Sequence, residues 1–135
     1  MKVTFSDKPI FGSEAEYAGK DTGAELIFLG RVRDIENGIP IVALEYEYYP
    51  EMAEKKLTEI AHETMEKFDI QNLECTHRIG PVATGEVSVR IVILSRNRKS
   101  ALRAMQWFID RLKSEVPVWK WGIAQDGKRF PSDTK

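Results

Sequence analysis

Apolar side chains recur at every second position through two early segments of the chain. From Asp21 to Arg33 they pass through Ala24, Leu26, Phe28, Gly30 and Val32, and from Pro40 to Tyr48 through Val42, Leu44, Tyr46 and Tyr48. Such alternation presents one face of an extended strand to a core. Asn37-Gly38, the dipeptide best suited to the positive φ angles of a tight turn, lies between them, so the pattern predicts a hairpin. At Pro50 the period changes. Ala53, Leu57, Ile60, Ala61, Thr64 and Phe68 share one helical face, while Glu54, Lys55, Glu59, Glu63 and Glu66 lie away from it. That is an amphipathic helix over Glu51 to Phe68, opened by a proline whose fixed φ suits a first turn.

Leu73 to Ile79 and Glu86 to Leu94 read as two further strands around Gly80-Pro81 and Gly85, and the spacing predicts that they pair as a second hairpin. A second long helix follows from Lys99 to Glu115, with Ala101, Leu102, Met105, Phe108, Ile109 and Leu112 at helical spacing, Ser95 or Asn97 as cap, and Pro117 as stop. Val118 to Ile123 and Gly127 to Phe130 suggest a short terminal hairpin, and the first twenty residues a short strand and a helical turn or two. Elements of both kinds, joined mostly by hairpins, predict an α+β fold with substantially antiparallel sheet. At 135 residues the chain fits a single domain, 1–135, with no repeat or linker.

Composition is ordinary, with 42% hydrophobic and 30% charged residues. No apolar run approaches the roughly 20 residues of a membrane span. The start, MKVTFSDKPIFG, has no secretory pattern, and the single cysteine, Cys75, has no internal partner, so a soluble, cytoplasmic protein is expected. The net charge of −1 conceals a polarity: residues 1–70 hold 8 Lys/Arg against 15 Asp/Glu (−7), and residues 71–135 hold 12 against 6 (+6). Either the second half binds an anion or the two halves pair with one another.

The stretch from Ile109 to Lys120, IDRLKSEVPVWK, sets Lys113 and Lys120 where a helix runs into an apolar strand beside Trp119. A lysine near other cations and partly desolvated has its charged form disfavoured, which suits chemistry or anion binding. Arg31-Val32-Arg33 ends a strand just before the Asn-Gly turn, and the expectation is that only one of its arginines lines a given pocket. Solvated strand-end arginines are the default there, and bidentate phosphate binding the alternative. Arg96, Arg98 and Lys99 sit at a helix start, where backbone N–H groups already favour an anion. His62 and His77 have no second ligand at metal spacing, so neither metal nor cofactor is expected. Cys75 reads as a buried thiol, and the tyrosines and tryptophans as packing before base stacking. Dinucleotide, Walker and nucleophile-elbow motifs are absent.

Taken together, GAELIFLGRVR at 23–33, LEYEYYPEMAEKKL at 44–57, HRIGPVATGE at 77–86 and IDRLKSEVPVWK at 109–120 resemble the catalytic (large) subunit of molybdopterin synthase. The likeness runs from about Gly23 to Phe130 and rests on the combination of blocks in order. It implies a hammerhead-like α+β fold, a homodimer, and one small ubiquitin-like sulfur-carrier subunit docked at each end. The implied reaction moves sulfur from the carrier's C-terminal thiocarboxylate onto cyclic pyranopterin monophosphate, twice, to make the molybdopterin dithiolene. By position, the family's active-site lysines fall on Lys113 and Lys120. Its substrate-binding segments fall on Arg31, Val32 and Arg33, on Asn97 and Arg98, and on Trp121 and Gly122.

Two departures stand out. Ser95-Arg96-Asn97-Arg98 replaces the family's usual S-A-H-R, putting an amide where an imidazole is usual, and Trp119-Lys120-Trp121-Gly122 replaces W-K-[KR]-E, losing one cation and one carboxylate. They support an alternative: a catalytically divergent or inactive homologue that binds the carrier as a regulatory or scaffold protein. Nucleic-acid binding by the basic half is a third reading, without a recognised motif to support it.

Overall fold

The computed structural model describes residues 1–12, 15 and 18–132. The strands are β1 (Lys2–Ser6), β2 (Ala24–Arg31), β3 (Ile35–Glu36), β4 (Ile39–Tyr48), β5 (Asn72–Arg78), β6 (Gly80–Ala83), β7 (Val87–Ser95), β8 (Val118–Ala124) and β9 (Arg129–Ser132). The helices are α1 (Pro50–Lys67) and α2 (Arg98–Glu115). One sheet has the order β1-β5-β7-β2, and a second has the order β3-β4-β8-β9 with β6 also on β4. Among the described residues only β1 and β5 run parallel, so the expected α+β class with mostly antiparallel sheet is the observed one. The N-terminal strand is present; the helical turn expected after it falls around residues 13, 14, 16 and 17, which lie outside the described residues.

Both helices form where their period demands. In α1 the buried residues are Ala53, Leu57, Ile60, Ala61 and Thr64, with Pro50 in its first turn, Glu51 near its positive end and Lys67 near its negative end. In α2 the Asn97 side chain accepts from the Ser100 N–H at 2.9 Å and so satisfies one orphan donor, while Pro117 keeps Val116 extended and stops the helix. The two helices pack together, α1 against β1 and β5, α2 against β7 and β2. Leu57, Ile60, Leu73, Ile91, Ile93 and Phe108 are fully buried in the resulting core. A smaller cluster, Val32, Ile41, Leu44 and Val82, fills the second sheet.

Three expectations change. The Asn37-Gly38 turn, with φ of 52° and 77°, joins β3 to β4, whereas β2 pairs with β7 in the other sheet. The chain leaves β2 at Arg31 and crosses between sheets before turning, a step that local alternation does not encode. In β4 a register shift between Ile41 and Ala43 turns Ile41 and Leu44 inward and leaves Val42 43% exposed. In α2, Ala104 takes the inward position and Leu102 is 56% exposed, because the buried stripe follows 101, 104, 105, 108 and 112. The pairings β5 with β7 and β8 with β9 are as expected.

Cys75 lies in the core on β5, where burial pushes its thiol up to about 12. The native protein is therefore expected to resist iodoacetamide at pH 8 and to be alkylated rapidly once unfolded in urea; fast labelling under native conditions would contradict the packing. Phe108→Ala removes the largest fully buried side chain. It should cost about 3–5 kcal/mol in urea unfolding, with the slope of the transition unchanged.

Candidate active site

Pro117 does more than end α2. It redirects the chain into β8 within the two residues Val116 and Pro117, so Lys113, on the last turn of the helix, and Lys120, in the strand, line the same cavity of about 580 Å³. Lys113 is exposed and, as a cation in the last turn, complements the helix dipole. Arg31 and Arg33 line the same cavity from the end of β2. Both arginines do so, not one: residues i and i+2 of an extended segment share a face, and Val32 between them points into the core of the second sheet. Phe28, Val116 and Val118 supply apolar lining.

The charges here are not all of one sign. Glu36 is 3% exposed, and its carboxylate lies 3.3 Å from the Lys120 ammonium and 3.5 Å from the Arg33 guanidinium, while Ser132 Oγ donates to it. Register explains the cluster, since Ser132 on β9 stands opposite Lys120 on β8, and Tyr46 on β4 stands on the other side. Three donors satisfy a carboxylate that would otherwise be costly to bury. The setting differs from the expected crowd of cations: Lys113 is exposed, and Lys120 meets an anion. Across the chain the two halves also pair, through Arg96 with Asp21, Arg111 with Glu63, and Arg129 with Glu45 and Glu47. Much of the charge polarity is spent this way. Among the described residues no carboxylate pairs with Lys113.

Tyr46, His77 and Ser88 complete the wall. Burial pushes the Tyr46 phenol up, opposed by its hydrogen bond with Ser88 and reinforced by the Glu36 charge. Burial holds His77 below the usual imidazole range; its hydrogen bond to the Arg78 carbonyl opposes this, and the Lys120 charge adds to it. Nδ1 lies 2.6 Å from that carbonyl oxygen, which can only accept, so Nδ1 carries a proton and donates. The ring meets Tyr46 edge-on at 5.2 Å.

Not every residue carried over by resemblance reaches the cavity. Val32 is core, with its N–H donating to Glu86 and its carbonyl accepting from Gly85. Asn97 and Arg98 are at the opposite end of α2, about 24 Å from Lys113 at 1.5 Å per residue. Trp121 lines the cavity under the Arg129 guanidinium, 4.1 Å from its ring centre, and its buried indole N–H has no hydrogen-bond partner among the described residues. Gly122 is turned away: a Cβ there would run into the Phe130 ring across the strand pair, so this glycine has a packing reason. Sequence reasoning missed Glu36, Tyr46 and Ser132. The only available signal was a carboxylate next to the Asn-Gly turn.

The family model described as MoaE protein matches residues 6–115. The chain is 41% identical over 113 residues to the molybdopterin synthase catalytic subunit of Staphylococcus aureus strain N315, covering 84% of this chain and 76% of that one. It superposes on the crystal structure of molybdopterin synthase from Staphylococcus aureus with a TM-score of 0.84 and 37% identity, over 93% of this chain and 94% of the other. The complex of subunits 1 and 2 of molybdopterin-converting factor from Helicobacter pylori gives a TM-score of 0.72 and 28% identity, over 86% and 75%. A fold, an order of sequence blocks and a family model that agree over most of the chain lead to one conclusion: the chain belongs to the MoaE protein family.

Proposed function

We propose that this chain acts in molybdenum cofactor biosynthesis as the catalytic subunit of a molybdopterin synthase, working as one domain, residues 1–135. It takes sulfur from the thiocarboxylated tail of a small ubiquitin-like carrier and places it on cyclic pyranopterin monophosphate. The observation that carries this reading is the meeting of Lys113, Lys120, Arg31 and Arg33 on one partly apolar cavity. Relatives of the same family are molybdopterin synthase catalytic subunits, and a two-subunit complex exists for the Helicobacter pylori relative, which supports the carrier as partner. No helix among the described residues is long and apolar enough to cross a membrane, and the reading sets the protein in the cytoplasm.

In each round the thiocarboxylate sulfur forms a C–S bond to a side-chain carbon of the pterin as that carbon's C–O bond breaks and its oxygen leaves protonated, as water or as the hydroxyl of the opened phosphate ester, so that carrier and pterin are joined through a thioester. Water then attacks the acyl carbon, the acyl C–S bond breaks, sulfur stays on the pterin, and the carrier leaves as a carboxylate. Lys113, exposed at the mouth, meets the anionic tail and stabilises the oxyanion on its acyl carbon. Lys120, deeper and anchored, donates or accepts protons on the pterin side. Arg33 holds the phosphate in the bidentate manner open to a guanidinium. Arg98, too far away on its own chain, serves the cavity of a second copy in a homodimer. Asn97 then acts through α2 by capping it.

Lys113→Ala and Lys120→Ala are each expected to lower dithiolene formation by about 10²-fold or more, measured with purified thiocarboxylated carrier and cyclic pyranopterin monophosphate. Full activity in both variants would sink the assignment, and carrier binding without any dithiolene from the unaltered chain would identify a carrier-binding scaffold instead. A mixing experiment tests the shared site. Lys120→Ala and Arg98→Ala homodimers, each impaired, should regain activity when dissociated and reassociated together, because each mixed dimer contains one intact cavity. No recovery would put Arg98 outside the site.

A further inference from the structure

We infer that Glu36 is the positioning residue for Lys120, the group that fixes where its ammonium stands in the cavity. This rests on the sulfur-transfer reading above. Strand β8, VWKWGIA, contains no carboxylate of its own, so nothing on Lys120's own strand can hold the ammonium. The anion comes instead from the two-residue strand β3, placed there by the Asn37-Gly38 turn. Glu36 is nearly inaccessible to water, and its oxygens face three donors on three separate segments: Lys120 on β8, Ser132 on β9, and Arg33 in the crossing between the sheets.

A surface ion pair constrains little, because both side chains swing in water. Here one partner is buried and tied by a second hydrogen bond from Ser132, so the pair holds Lys120 in one place. The same carboxylate joins the cation proposed to move protons to the cation proposed to hold phosphate. Lys113 lies outside this network, which separates its behaviour from that of Lys120 and supplies an internal control.

The test combines kinetics with a readout independent of catalysis. Glu36→Gln should lower kcat for sulfur transfer about tenfold while leaving KM for the carrier unchanged, since the carrier meets Lys113. Glu36→Asp, which keeps the charge, should recover part of the loss. In parallel, acetylation by a dilute N-hydroxysuccinimide ester, followed by peptide mass spectrometry, should become several-fold faster at Lys120 in Glu36→Gln and stay unchanged at Lys113. Ser132→Ala, which leaves the carboxylate and removes its hydroxyl donor, should move both readouts in the same direction by less, and serves if Glu36→Gln does not fold. Unchanged labelling of Lys120, or unchanged kcat where Lys120→Ala is impaired, would overturn the inference. Full activity of Lys120→Ala would instead overturn the sulfur-transfer reading, with the labelling still reporting on the Glu36 contact.

Discussion

The apolar contact between the two helices and the β1-β5-β7-β2 sheet is the constraint on which the other features depend. Leu57 and Ile60 from α1, Phe108 from α2, and Leu73, Ile91 and Ile93 from the sheet are withdrawn completely from water. Burial on this scale favours folding through the hydrophobic effect and fixes the position of α2 along the sheet. Once that position is set, the C-terminal turn of α2 can emerge at one place only. Pro117 then sends the chain into β8 and the second sheet, and the cavity opens at the junction.

Placing the proposed chemistry at such a junction has a physical advantage. Lys113 sits on a helix end, Lys120 on a strand, and Arg33 in a crossing between sheets, so their relative positions are held by three separately packed segments. The second sheet has a small core of four buried residues, and it is tied by polar contacts as well as apolar ones. Among them Glu36 is a buried acceptor, 3% exposed, that takes part-buried donors from Lys120 and Ser132 and an exposed one from Arg33. The local electrostatics follow from the same placement: desolvation acts on Tyr46 and His77, while the charges of Glu36 and Lys120 act on them across the cavity.

The family resemblance and the departures from it also take on physical content. Asn97, in the place of a usual histidine, caps α2 through its amide oxygen. Gly122, in the place of a usual glutamate, makes room for the Phe130 ring. Trp121, in the place of a usual cation, carries over its ring the Arg129 guanidinium, whose charge is paired with Glu45 and Glu47. Each substitution has a structural partner, and the two lysines keep their places around the cavity.

Much of the fold was legible in the pattern of residues, because amphipathic periods of two and 3.6 are local properties. The buried faces of α1 and most of α2, the stop at Pro117, the turn at Asn37-Gly38 and the terminal hairpin all follow from neighbours within a few positions. The resemblance singled out Lys113, Lys120 and the arginines by the order of four blocks. What neither could supply was partnership at long range. That β2 joins β7 rather than β4, that a register shift exposes Val42, and that Leu102 faces outward depend on which surfaces meet after the sheets assemble. The same holds for Glu36, whose importance lies in a lysine 84 positions further on and a serine 96 positions further on. Sequence periodicity determined the elements and nominated the cations; only tertiary packing, by bringing distant strands to one cavity, decided which charges face each other.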